Sequence, residues 1–396
     1  MNILGRLLRN KRSRHLVTGA AALVCCINFY LSVYSVAGFQ AQRFGQILKL
    51  TSKDESHYLE VSSKHLNRLP ADASLREQLQ FQYPYDSSIK IPRIIWQTWK
   101  YPRDDPRFER QLLQHSQSWI DLHHDYAYNL IPDEASDDLI KSLYESIPQV
   151  YDAFVSLPKA ILKADFFRYL ILFARGGIYS DVDTVPLKPA NVWVSNNETI
   201  YNDVNDAGLV IGIEADPDRD DWNVYYAKRV QFCQWTIQSK PGHPMLGELI
   251  ANITETTLRK KRDGTLSIIS GKDAGADIMN WTGPGIFMDE IFTYFNDLIK
   301  LRPNVHITNH TPVNKYNTGL DITKDGVDWR FFTLMEQAVV FDDVLVLPIT
   351  GFSPGVGHMG SKHLSHEDAY VHHMFEGSWK PENERMKGTV SRHRKD

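Results

Sequence analysis

The chain has 396 residues, 42% of them hydrophobic and 23% charged, a composition that supports a sizeable core and excludes global disorder. The net charge of −4 is uneven: Arg6, Arg9, Lys11, Arg12 and Arg14 give the first fifteen residues +5, so the remainder stands at −9. An acidic body argues against a nucleic-acid partner, for which a basic stripe is expected.

The basic head, residues 1–15, reads as a cytoplasmic tail. It is followed by an uncharged run of 24 residues, Leu16 to Phe39. As a helix this run would span about 36 Å, enough for a hydrocarbon core of about 30 Å. Positive charge on its N-terminal side orients it as a single-pass type II signal-anchor, with the C-terminal body in the lumen. The rival reading is a signal peptide cleaved after Ser35-Val36-Ala37, but its apolar stretch is longer than such peptides use. Two of the three cysteines, Cys25 and Cys26, lie in the run, so Cys233 has no partner for an intrachain disulfide in the body. Sequons at Asn197, Asn252, Asn280 and Asn309 are compatible with a lumenal body.

Residues 40–85 are polar and read as a stem with a short helix near Ser74 to Phe81. The folded domain is expected from 86 to 380, with a charged tail at 381–396. Ile91 to Trp96 reads as a buried first strand. Arg107 to Leu122 reads as a helix, Ala127 to Ile131 as a strand, and Asp137 to Leu143 and Pro148 to Phe154 as short helices. A strong helix follows from Leu157 to Ala174, with Ser156 as N-cap, Pro158 in the first turn and Gly176-Gly177 as the stop. Ile178 to Val185, Val210 to Ile213, Phe232 to Ser239 and Val339 to Leu347 read as strands. Pro244 to Arg259 and Ile286 to Lys300 read as amphipathic helices. Strands interspersed with helices indicate an α/β domain with a mainly parallel central sheet.

The chemistry concentrates at Gly176-Gly177-Ile178-Tyr179-Ser180-Asp181-Val182-Asp183. On a strand, Asp181 and Asp183 share a face, and two adjacent carboxylates call for a cation. Mg²⁺ or Mn²⁺ takes oxygen ligands and completes its shell with phosphate and water. A D-x-D triplet alone is a weak pattern that a solvated turn also produces. The helix before it adds weight: it is apolar nearly all round, yet carries Asp165 and Arg168 three apart on one face. Buried charges need a partner or a ligand, so the pair is either an internal ion pair or a sugar contact. Thr282-Gly283-Pro284-Gly285 opens a helix whose free amides could bind an anion. Glu214, Asp216, Asp220 and Asp221 form an acidic loop, either solvated or facing an acceptor.

Ala164-Asp165-Phe166-Phe167-Arg168-Tyr169-Leu170 together with the Gly176–Asp183 segment resembles the signature of the DXD glycosyltransferases of family 32. It is also similar to the core of the large clostridial glucosylating toxins. Tyr83-Pro84-Tyr85-Asp86, Ile94 to Lys100, Lys240 to Pro244 and Trp281 to Gly285 resemble the fungal initiation-specific alpha-1,6-mannosyltransferases and their mannan-synthesis paralogue. The resemblance implies a GT-A fold, GDP-mannose as donor, an N-glycan acceptor and a retained alpha-1,6 linkage in the Golgi (with the endoplasmic reticulum as the second compartment). It implies Mn²⁺ rather than Mg²⁺, held by Asp181 and Asp183, and donor-sugar contacts from Asp165 and Arg168. Trp96 is expected to stack on the base or to lie in the core, and Gln97 and Tyr179 are assigned to the donor side. Ser378 and Trp379 resemble diphosphate-binding residues, and His372 or His373 is the candidate third metal ligand. No nucleophile is named, and front-face attack and double displacement both fit. Alternatives within the chemistry are a subunit of a mannan-elongating mannosyltransferase complex, or mannosyl or galactosyl transfer to inositol-phosphoceramide or another glycan. Outside it stand a non-catalytic scaffold and a sugar-binding module.

Overall fold

The structure is a computed structural model that describes residues 69–376 apart from 71, 217–221, 225, 270–273, 303 and 309–310. The cytoplasmic tail, the anchor, most of the stem, Ser378, Trp379 and the C-terminal tail lie outside the described residues. Among the described residues, no helix is long and apolar enough to cross a membrane.

The first helix, α1 (Leu75–Gln82), opens on a capping box, in which Ser74 and Glu77 each take the other's backbone amide. Leu75 and Leu79 are buried, and Arg76 donates to Glu248 at 2.6 Å and to Glu255 at 2.8 Å. Tyr85 donates to Asp343 at 2.6 Å. The packed body therefore reaches back at least to Leu75, ahead of the expected boundary at 86.

β1 (Ile94–Trp99) starts three residues later than expected from Ile91. Pro92 has no N–H for a ladder, and the Ile94 amide turns back onto the Pro92 carbonyl at 2.9 Å. Then come α2 (Arg110–Leu122), β2 (Ala127–Pro132), α3 (Asp133–Leu143) and α4 (Pro148–Ser156). Ser156 does not cap the next helix: its hydroxyl donates to the Asp152 carbonyl at 2.6 Å and closes α4. Leu157, restricted by the proline after it, is extended, and α5 (Ala160–Arg175) starts beyond.

β3 (Gly177–Ser180) and β4 (Thr184–Pro186) replace the single strand expected over Ile178 to Val185. A small hairpin, β5 (Thr199–Ile200) and β6 (Asp203–Val204), precedes β7 (Leu209–Ala215). The strand expected at Phe232 to Ser239 divides into β8 (Gln231–Phe232) and β9 (Thr236–Ser239). The helices α6 (Pro244–Arg262), α7 (Ala274–Trp281) and α8 (Pro284–Leu301) lead to β10 (Ile307–Thr308) and two short turns of helix, α9 (Ile322–Asp325) and α10 (Trp329–Phe332). The last expected strand is a hairpin, β11 (Val339–Phe341) and β12 (Val344–Leu347), turned at Asp342 with φ +54°. The chain closes with α11 (Ile349–Phe352) and β13 (Val371–His373).

The central sheet has the order β10-β11-β12-β7-β9-β3-β1-β2, with β8 on β7. Strands β2, β1, β3, β7, β12 and β10 run one way, and β8, β9 and β11 run against them. The sheet is thus mixed, with most strands sharing one direction. β13 sits apart, antiparallel to β4.

Trp96 belongs to the core. It is 1% exposed and its indole N–H donates to the Gly176 carbonyl at 2.9 Å, so it cannot stack on a base. Gly177, at φ +99°, lies so close to β1 that an added Cβ would sit 2.5 Å from the Ile94 carbonyl oxygen. Two expectations follow for urea denaturation. Gly177→Ala should lower stability by about 2–4 kcal/mol through strain and collision. Trp96→Phe should cost about 1–3 kcal/mol of stability yet leave donor affinity unchanged.

Candidate functional site

β3 ends at Ser180, and the chain turns at once. The Thr184 amide donates to the Asp181 carbonyl at 3.2 Å, closing a four-residue turn with Asp181 at its start. Val182, at the apex, is buried against Trp99, Phe108 and Leu112. Asp181 and Asp183 therefore flank an anchored apolar residue. Their convergence comes from this turn rather than from the alternation of a strand.

Three neighbours fix the Asp181 backbone. Its amide donates to the Trp235 carbonyl at 2.8 Å, and its carbonyl accepts from Thr184 Oγ1 at 2.6 Å and Gln97 Nε2 at 3.1 Å. Gln97 is fully buried, and Tyr128 donates to its other amide atom at 2.6 Å. Both ends of its amide are committed, so Gln97 positions Asp181 instead of touching a donor. Tyr179 is likewise buried and donates to Asp181 Oδ1 at 2.8 Å.

The third member arrives from the far end of the chain. The β4–β13 ladder sets His373 opposite Thr184, and the Met374 amide donates to the Asp183 carbonyl at 2.9 Å. His373 Nε2 then lies 3.3 Å from Asp183 Oδ1. The imidazole is stacked on Trp235 at 4.4 Å and flanked edge-on by Phe375 at 4.2 Å. His372, the next residue along, points to the opposite side of the strand. Of the two candidate histidines, His373 is the one whose ring nitrogen lies together with the two carboxylates.

Asp165 and Arg168 are each 2% exposed. Arg168 Nη1 is 2.8 Å from Asp165 and its Nη2 is 3.2 Å from Asp181, so one guanidinium bridges two carboxylates. Asp165 also accepts from Gln234 Nε2 at 3.3 Å and Thr282 Oγ1 at 3.2 Å. Gln234 and Thr282 were not foreseen in these roles. Gln234 sat inside a segment read as one continuous strand, and Thr282 inside a motif read through its backbone amides.

Burial pushes the Asp165 carboxyl up to about 7, against the pull of Arg168. Burial also raises Asp181, opposed by Arg168 and reinforced by the neighbouring Asp183. For Asp183, burial is outweighed by His373 and by the Glu376 amide, which donates to Oδ2 at 3.2 Å, and the group lies below the usual range. His373 is raised because Asp183 outweighs its burial.

Asp181, Asp183 and His373 offer two carboxylate oxygens and an imidazole nitrogen, all within 4.8 Å of one another. His373 Nδ1 and Arg168 Nε are buried with no hydrogen-bond partner among the described residues. This donor set fits a divalent ion that leaves positions for phosphate and water. The acidic loop resolves differently. Asp216 is buried and holds the Thr333 hydroxyl at 2.6 Å and the Leu334 amide, a structural tie, while Asp220 and Asp221 lie outside the described residues.

A model of the glycosyltransferase sugar-binding region containing the DXD motif matches residues 109–200. The chain is 53% identical to the initiation-specific alpha-1,6-mannosyltransferase of Candida albicans, over 79% of this chain and 78% of that protein. It is 37% identical to the Saccharomyces cerevisiae protein of the same name, over 97% of this chain and 99% of that one. The catalytic domain of the Clostridium novyi alpha-toxin aligns over 51% of the chain and 72% of its own length at 11% identity and a TM-score of 0.31. Identity of this depth over nearly the whole length, with the turn, the buried ion pair and the DXD carboxylates in place, makes the chain a member of the DXD glycosyltransferases of family 32, in the group of the fungal initiation-specific alpha-1,6-mannosyltransferases.

Proposed function

We propose that the chain transfers mannose from GDP-mannose to an N-glycan core, forming an alpha-1,6 linkage with retention, on a GT-A type nucleotide-sugar domain. The observation that carries this reading is the convergence of Asp181, Asp183 and His373 within 4.8 Å, with a buried Arg168 3.2 Å from Asp181. Mn²⁺ suits a set that mixes carboxylates with an imidazole better than Mg²⁺ does. Bound there, the ion would offset the charge that develops on the departing diphosphate.

The chain's own residues do the rest. Arg168 holds Asp181 Oδ1 while its remaining N–H faces the same buried region, and with Asp165 it forms the floor on which the sugar hydroxyls are oriented. Gln97, Tyr179 and Thr184 keep Asp181 in one position, so no reorganisation is needed as charge develops. Trp235 and Phe375 wall His373 on two sides and keep water from its ring. The basic head and the run Leu16–Phe39 support a Golgi signal-anchor with the catalytic body lumenal, and residues 40 to about 70 serve as the stem.

The test uses the purified full-length chain with labelled GDP-mannose, Mn²⁺ and a high-mannose N-glycan, followed by linkage mapping. The expected product carries one new alpha-1,6 mannose; transfer from another nucleotide-sugar only, or a different linkage, refutes the reading. In the same assay Asp183→Ala and His373→Ala should each lower turnover by at least about 100-fold, the scale of losing one preorganised electrostatic partner. Manganese binding, followed by electron paramagnetic resonance, should weaken in parallel. His372→Ala should leave both nearly unchanged, and a loss equal to that of His373→Ala would exclude His373 as the ligand.

A further inference from the structure

The sequons at Asn197, Asn252, Asn280 and Asn309 offer four asparagines that the mannosyl transfer proposed above does not use. A glycan on such a sequon is joined to the asparagine Nδ2 and is bulky and hydrophilic, so the folded chain must hold that nitrogen in solvent. Asn309 lies outside the described residues. Among the other three, Asn197 alone has both its asparagine and its threonine exposed. Thr254 and Thr282, the threonines that complete the sequons of Asn252 and Asn280, are fully buried.

Asn197 follows the 3-10 turn Val194–Asn196 and leaves it extended, at φ −65° and ψ 148°. Its backbone N–H donates to the Val194 carbonyl at 3.2 Å, and its carbonyl accepts from Asn205 Nδ2 at 2.8 Å. The backbone is held on both sides of the residue. The Asn197 side-chain amide and the Thr199 hydroxyl, by contrast, make no hydrogen bond among the described residues. Thr199 stands opposite Val204 in the β5–β6 ladder, and Val204 is 72% exposed. A glycan rooted at Asn197 would start beside this apolar side chain and shield it from water.

Asn252 is the opposite case. It lies within α6, where its Oδ1 accepts from Arg76 Nη2 at 2.8 Å and its Nδ2 donates to Glu290 of α8. Arg76 also donates to Glu248 and Glu255, so this amide is part of the tie that fastens α1 and α8 to α6. The nitrogen that would carry the sugar is the one that spans the contact between α6 and α8. Asn280 is exposed on α7, but its Oδ1 lies against the first turn of α8, 2.1 Å from where a Cβ on Gly285 would sit.

We infer that Asn197 is an N-glycosylation site of this chain and that Asn252 stays bare. In the step, Asn197 Nδ2 forms a bond to the anomeric carbon of an oligosaccharide carried on a lipid diphosphate. The bond from that carbon to the diphosphate oxygen breaks, the lipid diphosphate leaves, and the amide gives up one proton to solvent. The event modifies the chain itself and is separate from the mannosyl transfer the chain performs. The inference rests on the lumenal placement proposed above and is independent of the donor and of the linkage formed.

The test expresses the full-length chain in a eukaryotic cell, releases its glycans with peptide N-glycosidase in heavy-oxygen water, and maps the labelled aspartates by mass spectrometry. Asn197 should be recovered labelled in the majority of chains and Asn252 unlabelled. Asn197→Gln and Thr199→Ala should each lose the mobility shift of one glycan on a denaturing gel, and Thr199→Ser, which restores a sequon, should keep it. The mapping is done on the wild type, so it stands even where a variant folds poorly. Label at Asn280 or Asn309 with Asn197 bare overturns the assignment while leaving the lumenal placement intact, and label at Asn252 overturns the claim that its amide is committed to the fold. If no sequon is labelled, protease treatment of sealed microsomes separates the two failures. A protected body keeps the lumenal placement and overturns Asn197, whereas a digested body overturns the lumenal placement and the modification with it.

Discussion

One buried guanidinium governs the charge balance of the site. Asp165, Asp181 and Asp183 are three carboxylates around Arg168, and removing any of these groups from water is costly unless it is paired. Arg168 touches Asp165 and Asp181 and leaves Asp183 to His373. If all three carboxylates were ionised, three acids would face two cations with His373 protonated, and the excess would be larger with His373 neutral. Protonation of Asp165, whose carboxyl is pushed up to about 7, relieves part of that excess, and further positive charge would relieve the rest. A divalent ion would supply positive charge here, and a diphosphate would fill its open ligand positions, which is why the same cluster can be both a structural cost and a binding site.

The layers of the fold were legible because hydrophobic periodicity is strong where burial is complete. α5, apolar nearly all round, was read as a buried helix and is one. The boundaries failed where proline chemistry acts over a few residues. Leu157 is driven out of helical geometry by Pro158, so Ser156 ends one helix rather than capping the next. Pro92 delays β1 by a different route, since it has no N–H to give a ladder. The run at Phe232 to Ser239 hides a break because Cys233 and Trp235 in it are buried, whereas the turn inside Val339 to Leu347 is marked by the polar pair Asp342-Asp343, which the single-strand reading passed over. The reversal of β11 against β12 follows from its turn, while β8 and β9 run in the same direction as each other.

For the site, the residue types were readable and the roles only partly so. Asp181, Asp183, Asp165 and Arg168 announced themselves as charges in apolar surroundings. His373 could not be separated from His372 on sequence alone, since a difference of one residue flips the face of a strand and only the β4–β13 register decides it. Trp96 is placed on the base, or in the core, by the resemblance to the toxins, and Gln97 and Tyr179 are assigned to the donor side. In the fold their polar atoms point at Gly176 and Asp181. They set the geometry of the carboxylates from behind.

The precision of the cluster originates in backbone contact rather than in side-chain packing. At Gly176 and Gly177 the chain passes so close to its neighbours that an added Cβ would lie 2.8 Å from the Ser239 carbonyl oxygen and 2.5 Å from that of Ile94. β3 is therefore clamped between β9 and β1 with no side chain to act as a spacer, and its end cannot shift along or between them. Three residues after Gly177 the chain reaches Ser180, and then the turn. Each element that holds Asp181, namely Gln97 from β1, Trp235 just before β9 and Arg168 from the helix that the glycines terminate, is fixed relative to the same clamp. Tolerances at the carboxylates are thus inherited from two glycines at the opposite end of a four-residue strand. A short strand serves this better than a long one, because fewer residues separate the clamp from the carboxylates it positions.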